Sequence, residues 1–213
     1  MATVVTRKGK EIIAARLIGA TPTQVEPKVS AWGLNPAGLT AAATDVAMFD
    51  ESAEARVSGT SSQTTTTNAN DTYQLVALMT STAARTITEF GAFDSTTQPN
   101  VGAVAAGGVV GSNSNTTLNT AAAFSPGNNN YVQIRTEVMK VTAGSGTTAL
   151  TVTRAQNGSS AISTIAVADV VTPGNPPGQT GISGGDMFVH ADFAGIVLNS
   201  GDSIQFTLSV QVT

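Results

Sequence analysis

The chain has 213 residues and is 41% apolar, enough to bury a real core as one or two domains. Only 11% of it is charged, less than half the usual share of about a quarter, and a net charge of −4 excludes a strong electrostatic drive toward nucleic acid. The absence of cysteine excludes disulfides, thiolate metal sites and a catalytic thiol, and without a run of about 20 apolar residues no helix is expected to span a membrane.

The polar surface must come mostly from Thr, Ser, Asn, Gln and Gly. Low charge gives weak long-range fields and little self-repulsion, which suits a protein held in a dense assembly. The first residues lack the apolar stretch of a secretory leader, so a soluble product made in a cytoplasm is expected.

In chain order, Lys8 to Ile18 places Ile12, Ile13, Leu17 and Ile18 on one face of a short helix, with Gly19 as its stop. Arg7, Lys8, Lys10 and Arg16 read as a solvated face of that helix rather than a DNA-binding group. Pro22 and Pro27 then enforce an extended connection. Trp32, followed by Gly33, is expected to anchor the core.

From Arg56 the character turns to β. Arg56–Thr67 and Thr72–Thr80 form a predicted hairpin about the turn cluster Asn68–Asp71, and Thr86–Phe93 is a further strand. Ser95–Asn130 is rich in Gly, Ala, Asn, Ser and Thr and is expected to be loose. Tyr131–Val141 and Ala149–Thr153 are strand-like, with turns at Gly144-Ser145-Gly146 and Asn157-Gly158. Thr172–Gly185, with Pro173, Pro176 and Pro177, reads as an extended loop. The clearest periodicity closes the chain: Ile204, Phe206, Leu208, Val210 and Val212 alternate with Ser203, Gln205, Thr207, Ser209 and Gln211.

The pattern predicts a mainly β fold, an antiparallel β-sandwich with a short N-terminal helix and an inserted small β domain. The sandwich takes residues 1–95 and 186–213, and the insertion takes 96–185. Insertion at loop tips is tolerated because closure entropy grows slowly with length.

Chemistry has few footholds. His190 is the only histidine, so any Ser–His mechanism would rest on it; on an alternating strand it is expected at a surface or interface. Asp186, Asp192 and Asp202 could be imagined around a hard cation, but aspartates in turns serve backbone hydrogen bonds equally well. Asn115-Thr116-Thr117 and Asn157-Gly158-Ser159 match the glycosylation triplet. A sugar-binding surface in the insertion would have only Phe124 and Tyr131 to stack on. No catalytic, cofactor or metal residues are assigned, and no enzymatic activity is expected.

Three stretches resemble virion proteins of tailed bacteriophages. The first runs from the helix through Leu17-Ile18-Gly19-Ala20-Thr21-Pro22-Thr23 and Pro27-Lys28 to Ala31-Trp32-Gly33. The second is Thr72-Tyr73-Gln74-Leu75 leading into Ile87-Thr88-Glu89-Phe90-Gly91-Ala92-Phe93-Asp94, an I-x-E-x-G-x-F-D pattern. The third is Met187–Phe193 followed by Asn199–Phe206. Glu137–Val171 also resembles a small β module of phage structural proteins.

The resemblance implies a virion structural protein on the capsid surface or tail. It would be a capsid cement or decoration protein bound to the major capsid protein, most simply as a homotrimer, without cofactors, nucleic acid or membrane. A tail-associated baseplate, collar or fibre-base part is the alternative, and a glycan-binding outer knob a further one.

Overall fold

A computed structural model describes residues 2–19, 24–35, 38–99, 101–105, 114, 116–174 and 184–212. Its elements, in order, are β1 (Ala2–Val5), α1 (Arg7–Leu17), β2 (Val29–Gly33), β3 (Val57–Ser58), β4 (Thr60–Thr64), β5 (Thr72–Thr80), β6 (Arg85–Phe93) and β7 (Gly102–Ala103). There follow β8 (Thr117–Phe124), β9 (Tyr131–Ile134), β10 (Glu137–Ala143), β11 (Thr147–Thr153), β12 (Val170–Gly174), β13 (Met187–Leu198) and β14 (Ser203–Gln211). The chain is mainly β with antiparallel sheets and one short N-terminal helix among the described residues, a β-sandwich arrangement.

A five-stranded sheet, β1-β13-β6-β2-β3, faces a three-stranded sheet, β14-β5-β4. Both are built from residues before Asp94 and after Asp186. Between them Trp32, Ile87 and Leu198 meet Met79, and Phe90, Ala92 and Phe188 meet Leu75 and Leu208. The six-stranded sheet β7-β12-β9-β10-β11-β8 comes from intervening residues and encloses its own core of Leu118, Val132, Ile134, Met139, Val141, Leu150 and Val171.

Local chemistry accounts for most of these elements. Thr6 caps α1 by accepting from the Gly9 amide at 3.0 Å, and Gly19 ends it at φ 72°. Ile12 is buried, but Leu17 and Ile18 are 76% and 82% exposed: the last turn leaves the sheets, and the expected four-residue apolar face is only half used. Lys8 departs further from expectation. It is buried, with its ammonium 3.4 Å from Asp186 and 3.3 Å from Glu11.

The expected hairpin forms as β4–β5 over Thr60–Thr64 only; Val57–Ser58, at the start of the expected Arg56–Thr67 run, pairs with β2 in the other sheet. Asn70 turns at φ 59°, and the Asp71 carboxylate accepts amides from Asn68, Thr66 and Thr67, which hold it well below the usual carboxylate range. β6 does not continue this hairpin; it crosses to the other sheet and pairs with β13 and β2. The Tyr131–Val141 run is two strands, because Arg135 takes φ 50° and folds β10 back on β9.

Two segments expected to be irregular carry strands. Thr117–Phe124, inside the stretch expected to be loose, pairs with β11. Val170–Gly174 pairs with β9 through Pro173, at the start of the expected loop. The connection through Pro22, the Asn115 triplet and the Pro176-Pro177 part of the loop lie outside the described residues.

Candidate functional site

His190 sits on β13 opposite Gly91 of β6 and Val4 of β1, in the interior of the five-stranded sheet. It is fully buried, which corrects the expectation of a surface or interface histidine. The reason is that β13 is covered on both sides from Met187 to Ala191. The three-stranded sheet lies on one face, and the segment 38–50 packs on the other, where Met48 joins Val29, Ala31, Phe93 and Met187. Alternation along such a strand no longer separates wet from dry.

Both imidazole nitrogens are held by carboxylates. Nδ1 is 2.7 Å from Asp45 Oδ2 and Nε2 is 2.9 Å from Glu89 Oε2, with all three side chains buried. Phe49 covers the ring at a centroid distance of 4.7 Å. Burial pushes the imidazole toward its neutral form. The hydrogen bonds to Asp45 and Glu89, together with their negative charges, outweigh that and raise its pKa to about 9. At neutral pH the group is an imidazolium donating both N–H bonds.

The two carboxylates carry the lock into the backbone. Glu89 accepts the amides of Phe49 at 3.0 Å and Asp50 at 2.8 Å, and Asp45 accepts the amide of Ala42 at 2.8 Å. Burial, and then the Glu89 charge, raise the pKa of Asp50. The same segment is tied to Asp192 through the Ala41 amide at 2.8 Å and to the six-stranded sheet through the Val46 amide and Gln133 Oε1 at 3.2 Å. The cluster therefore clamps one irregular segment between the two β units. An imidazolium bonded on both sides has no lone pair with which to take a proton from a hydroxyl, so its chemistry here is cohesion.

The aspartates considered for a cation are placed in separate roles. Asp186 receives Gln24 Nε2 at 2.7 Å and pairs with Lys8; Asp192 caps the amides of Ala2 and Ala41; Asp202 accepts from the Asn199 amide at 2.7 Å. Among the described residues no group of three or more acidic or histidine side chains could hold a metal ion. Phe124, considered as a sugar platform, lies in the core of the six-stranded sheet, and Tyr131 is half-buried. Asn157 turns at φ 55° beside Gly158, and its carbonyl accepts from the Arg7 guanidinium.

Sequence reasoning missed the charged nodes altogether. Arg56 grips Glu51 through two bonds of 2.7 and 2.8 Å and lies 3.6 Å over the Phe93 ring. Arg154 grips Glu137 through two of 2.6 Å. Glu54 accepts from Trp32 Nε1 at 2.6 Å and from the Thr82 amide at 2.6 Å. A charged residue inside an otherwise apolar run, as Glu89 is between Ile87 and Phe90, was the one available signal.

The outward surface is the opposite in kind. On the three-stranded sheet, register places Thr60, Ser62, Thr64, Gln74, Val76 and Leu78 on the face turned from the core, with Thr80 and alternate residues of β14 from Ser203 to Gln211. None is charged, and Leu78, on the central strand β5, is 61% exposed. No family model, curated protein or solved structure matches the chain.

Proposed function

We propose that the chain is a structural protein of a bacteriophage particle, a capsid cement protein that binds the head shell as a homo-oligomer and transforms no substrate. The observation that carries this reading is the charge-free outer face of β4, β5 and β14. What supports the reading is that this face sets the apolar Val76 and Leu78 of its central strand among hydroxyl and amide groups and has no charge to desolvate. The strings that resemble virion proteins lie side by side, with Ile87–Phe93 in β6 paired to Met187–Ile196 of β13.

Size favours a lattice setting. Three strands about 4.8 Å apart, β5 and β14 of nine residues and β4 of five, present roughly 400 Å² at about 3.4 Å per residue. A stable pairwise interface needs about 800 Å² per partner. A single contact of this face is therefore weak, and repeated copies on a shell add by avidity. The inserted six-stranded unit, clamped through the segment 38–50, would project from the anchored sandwich.

Purified particles test the reading. A cement protein approaches the major capsid protein in abundance, and particles lacking it lose resistance to heat or low salt. Scarcity in intact particles would move it to the tail, as a baseplate, collar or fibre-base part, and absence from particles would remove the proposal.

A further inference from the structure

We propose that β14 is the joint between two copies of this chain, pairing antiparallel with itself across a two-fold axis centred on Thr207. In the three-stranded sheet β14 is an outer strand: β5 bonds one side over nine residues, Ser203↔Thr80 to Gln211↔Thr72, without a register shift. Among the described residues no strand pairs with its other side.

Exposed sheet edges are normally kept short, interrupted, charged or broken by proline, because a long regular edge invites another chain. The other outer strands follow that rule. β1, β3, β4 and β7 have two to five residues, and the eight-residue β8 has a shifted register. β14 follows none of it: nine residues, no charge, no proline, no bulge.

Its partner is chosen by self-complementarity. About Thr207, Ser203 meets Gln211, Ile204 meets Val210, Gln205 meets Ser209 and Phe206 meets Leu208. Polar residues lie against polar on the outer face and apolar against apolar on the inner one, with no charge to repel. Beside the open edge runs an apolar groove of about 400 Å³ lined by Phe90, Phe193, Ile196, Phe206 and Leu208, which a strand added there covers. The joint also enlarges the neutral face. Six continuous strands present about 800 Å², the area one partner of a stable interface needs.

This deepens the assembly reading and rests on it only for its setting, since the joint is measured on purified protein and particle membership on particles. The chain has no cysteine, so single introduced thiols report the contact. Expected are a dimer by sedimentation, a disulfide-linked dimer from Thr207→Cys under mild oxidation, and cross-linking of Ser203→Cys with Gln211→Cys in a mixture but with neither alone. The two Thr207 positions face each other within disulfide reach. Thr207→Lys, on the exposed face, should weaken the dimer roughly tenfold or more while leaving the fold intact. A monomeric wild-type protein, a trimer, a dimer unaffected by Thr207→Lys, or a dimer that Thr207→Cys does not cross-link would overturn the joint.

Discussion

Asp45 and His190 are 145 residues apart in the chain and 2.7 Å apart in the fold. With Glu89 on the other ring nitrogen, they form a buried carboxylate–imidazolium–carboxylate bridge from the central strands to the segment 38–50. The net charge of such a bridge depends on one proton, and so does its strength.

That proton sets a pH dependence. Folded His190 has its pKa raised to about 9, against about 6.5 in an unfolded chain. The folded state holds the proton more tightly, so the stabilisation is fully present below pH 6.5, declines above it, and is lost as pH rises through 9. It amounts to about 3 kcal/mol. Urea midpoints should fall across that window, and equal midpoints at pH 6 and pH 10 would disprove the bridge as described.

Removing the cation is expected to cost more than removing its proton. His190→Leu leaves Asp45 and Glu89 buried with no positive partner, a loss of about 3–5 kcal/mol, and should flatten the stability profile between pH 6.5 and 9. Chemical unfolding at three pH values measures both effects together. A loss below about 1 kcal/mol would show that the carboxylates had found water or another partner.

The reach of sequence reasoning follows from which forces are local. The C-terminal strand is legible because one face of β14 packs on the core and the other does not, so alternation survives from Ile204 to Val210; Val212, the fifth apolar position, falls beyond the strand and is 57% exposed. The helix is legible from its apolar spacing and its Gly19 stop. His190 is illegible because β13 is covered on both faces around it, which erases the period there. Asp45 lies in an irregular segment whose only assignment comes from a partner far along the chain. Arg135 ends β9 in a left-handed turn without Gly, Asn or Pro to announce it, so two strands read as one.

Gly33 faces the same cluster from β2. A methyl group there would overlap the Glu89 carboxylate and come within 2.5 Å of the Asp50 carbonyl, both fixed by the bridge. Gly33→Ala should therefore cost about 1–3 kcal/mol as an overpacked core does, and it should lower the pKa of His190 by displacing Glu89. Histidine proton NMR across pH 6–10 follows the second effect, and an unmoved titration with normal stability would refute the contact.

The six-stranded unit offers a comparison of two arginines with the same chemistry and different surroundings. Arg154 and Glu137 are 7% and 0% exposed and share two bonds of 2.6 Å, with Glu137 also accepting the amides of Ala155 and Ile162. Arg135 and Asp169 are 30% and 15% exposed. Arg154→Ala strands a buried carboxylate and should cost about 3–5 kcal/mol; Arg135→Ala leaves its partner within reach of water and should cost about 1 kcal/mol or less. Hydrogen exchange should locate the first loss in β10 and β11 and leave the β5–β14 ladder protected, because among the described residues no strand of one unit pairs with a strand of the other. Equal costs for the two substitutions would mean that burial does not set the strength of these pairs, and equal exchange in both units would mean that they unfold together.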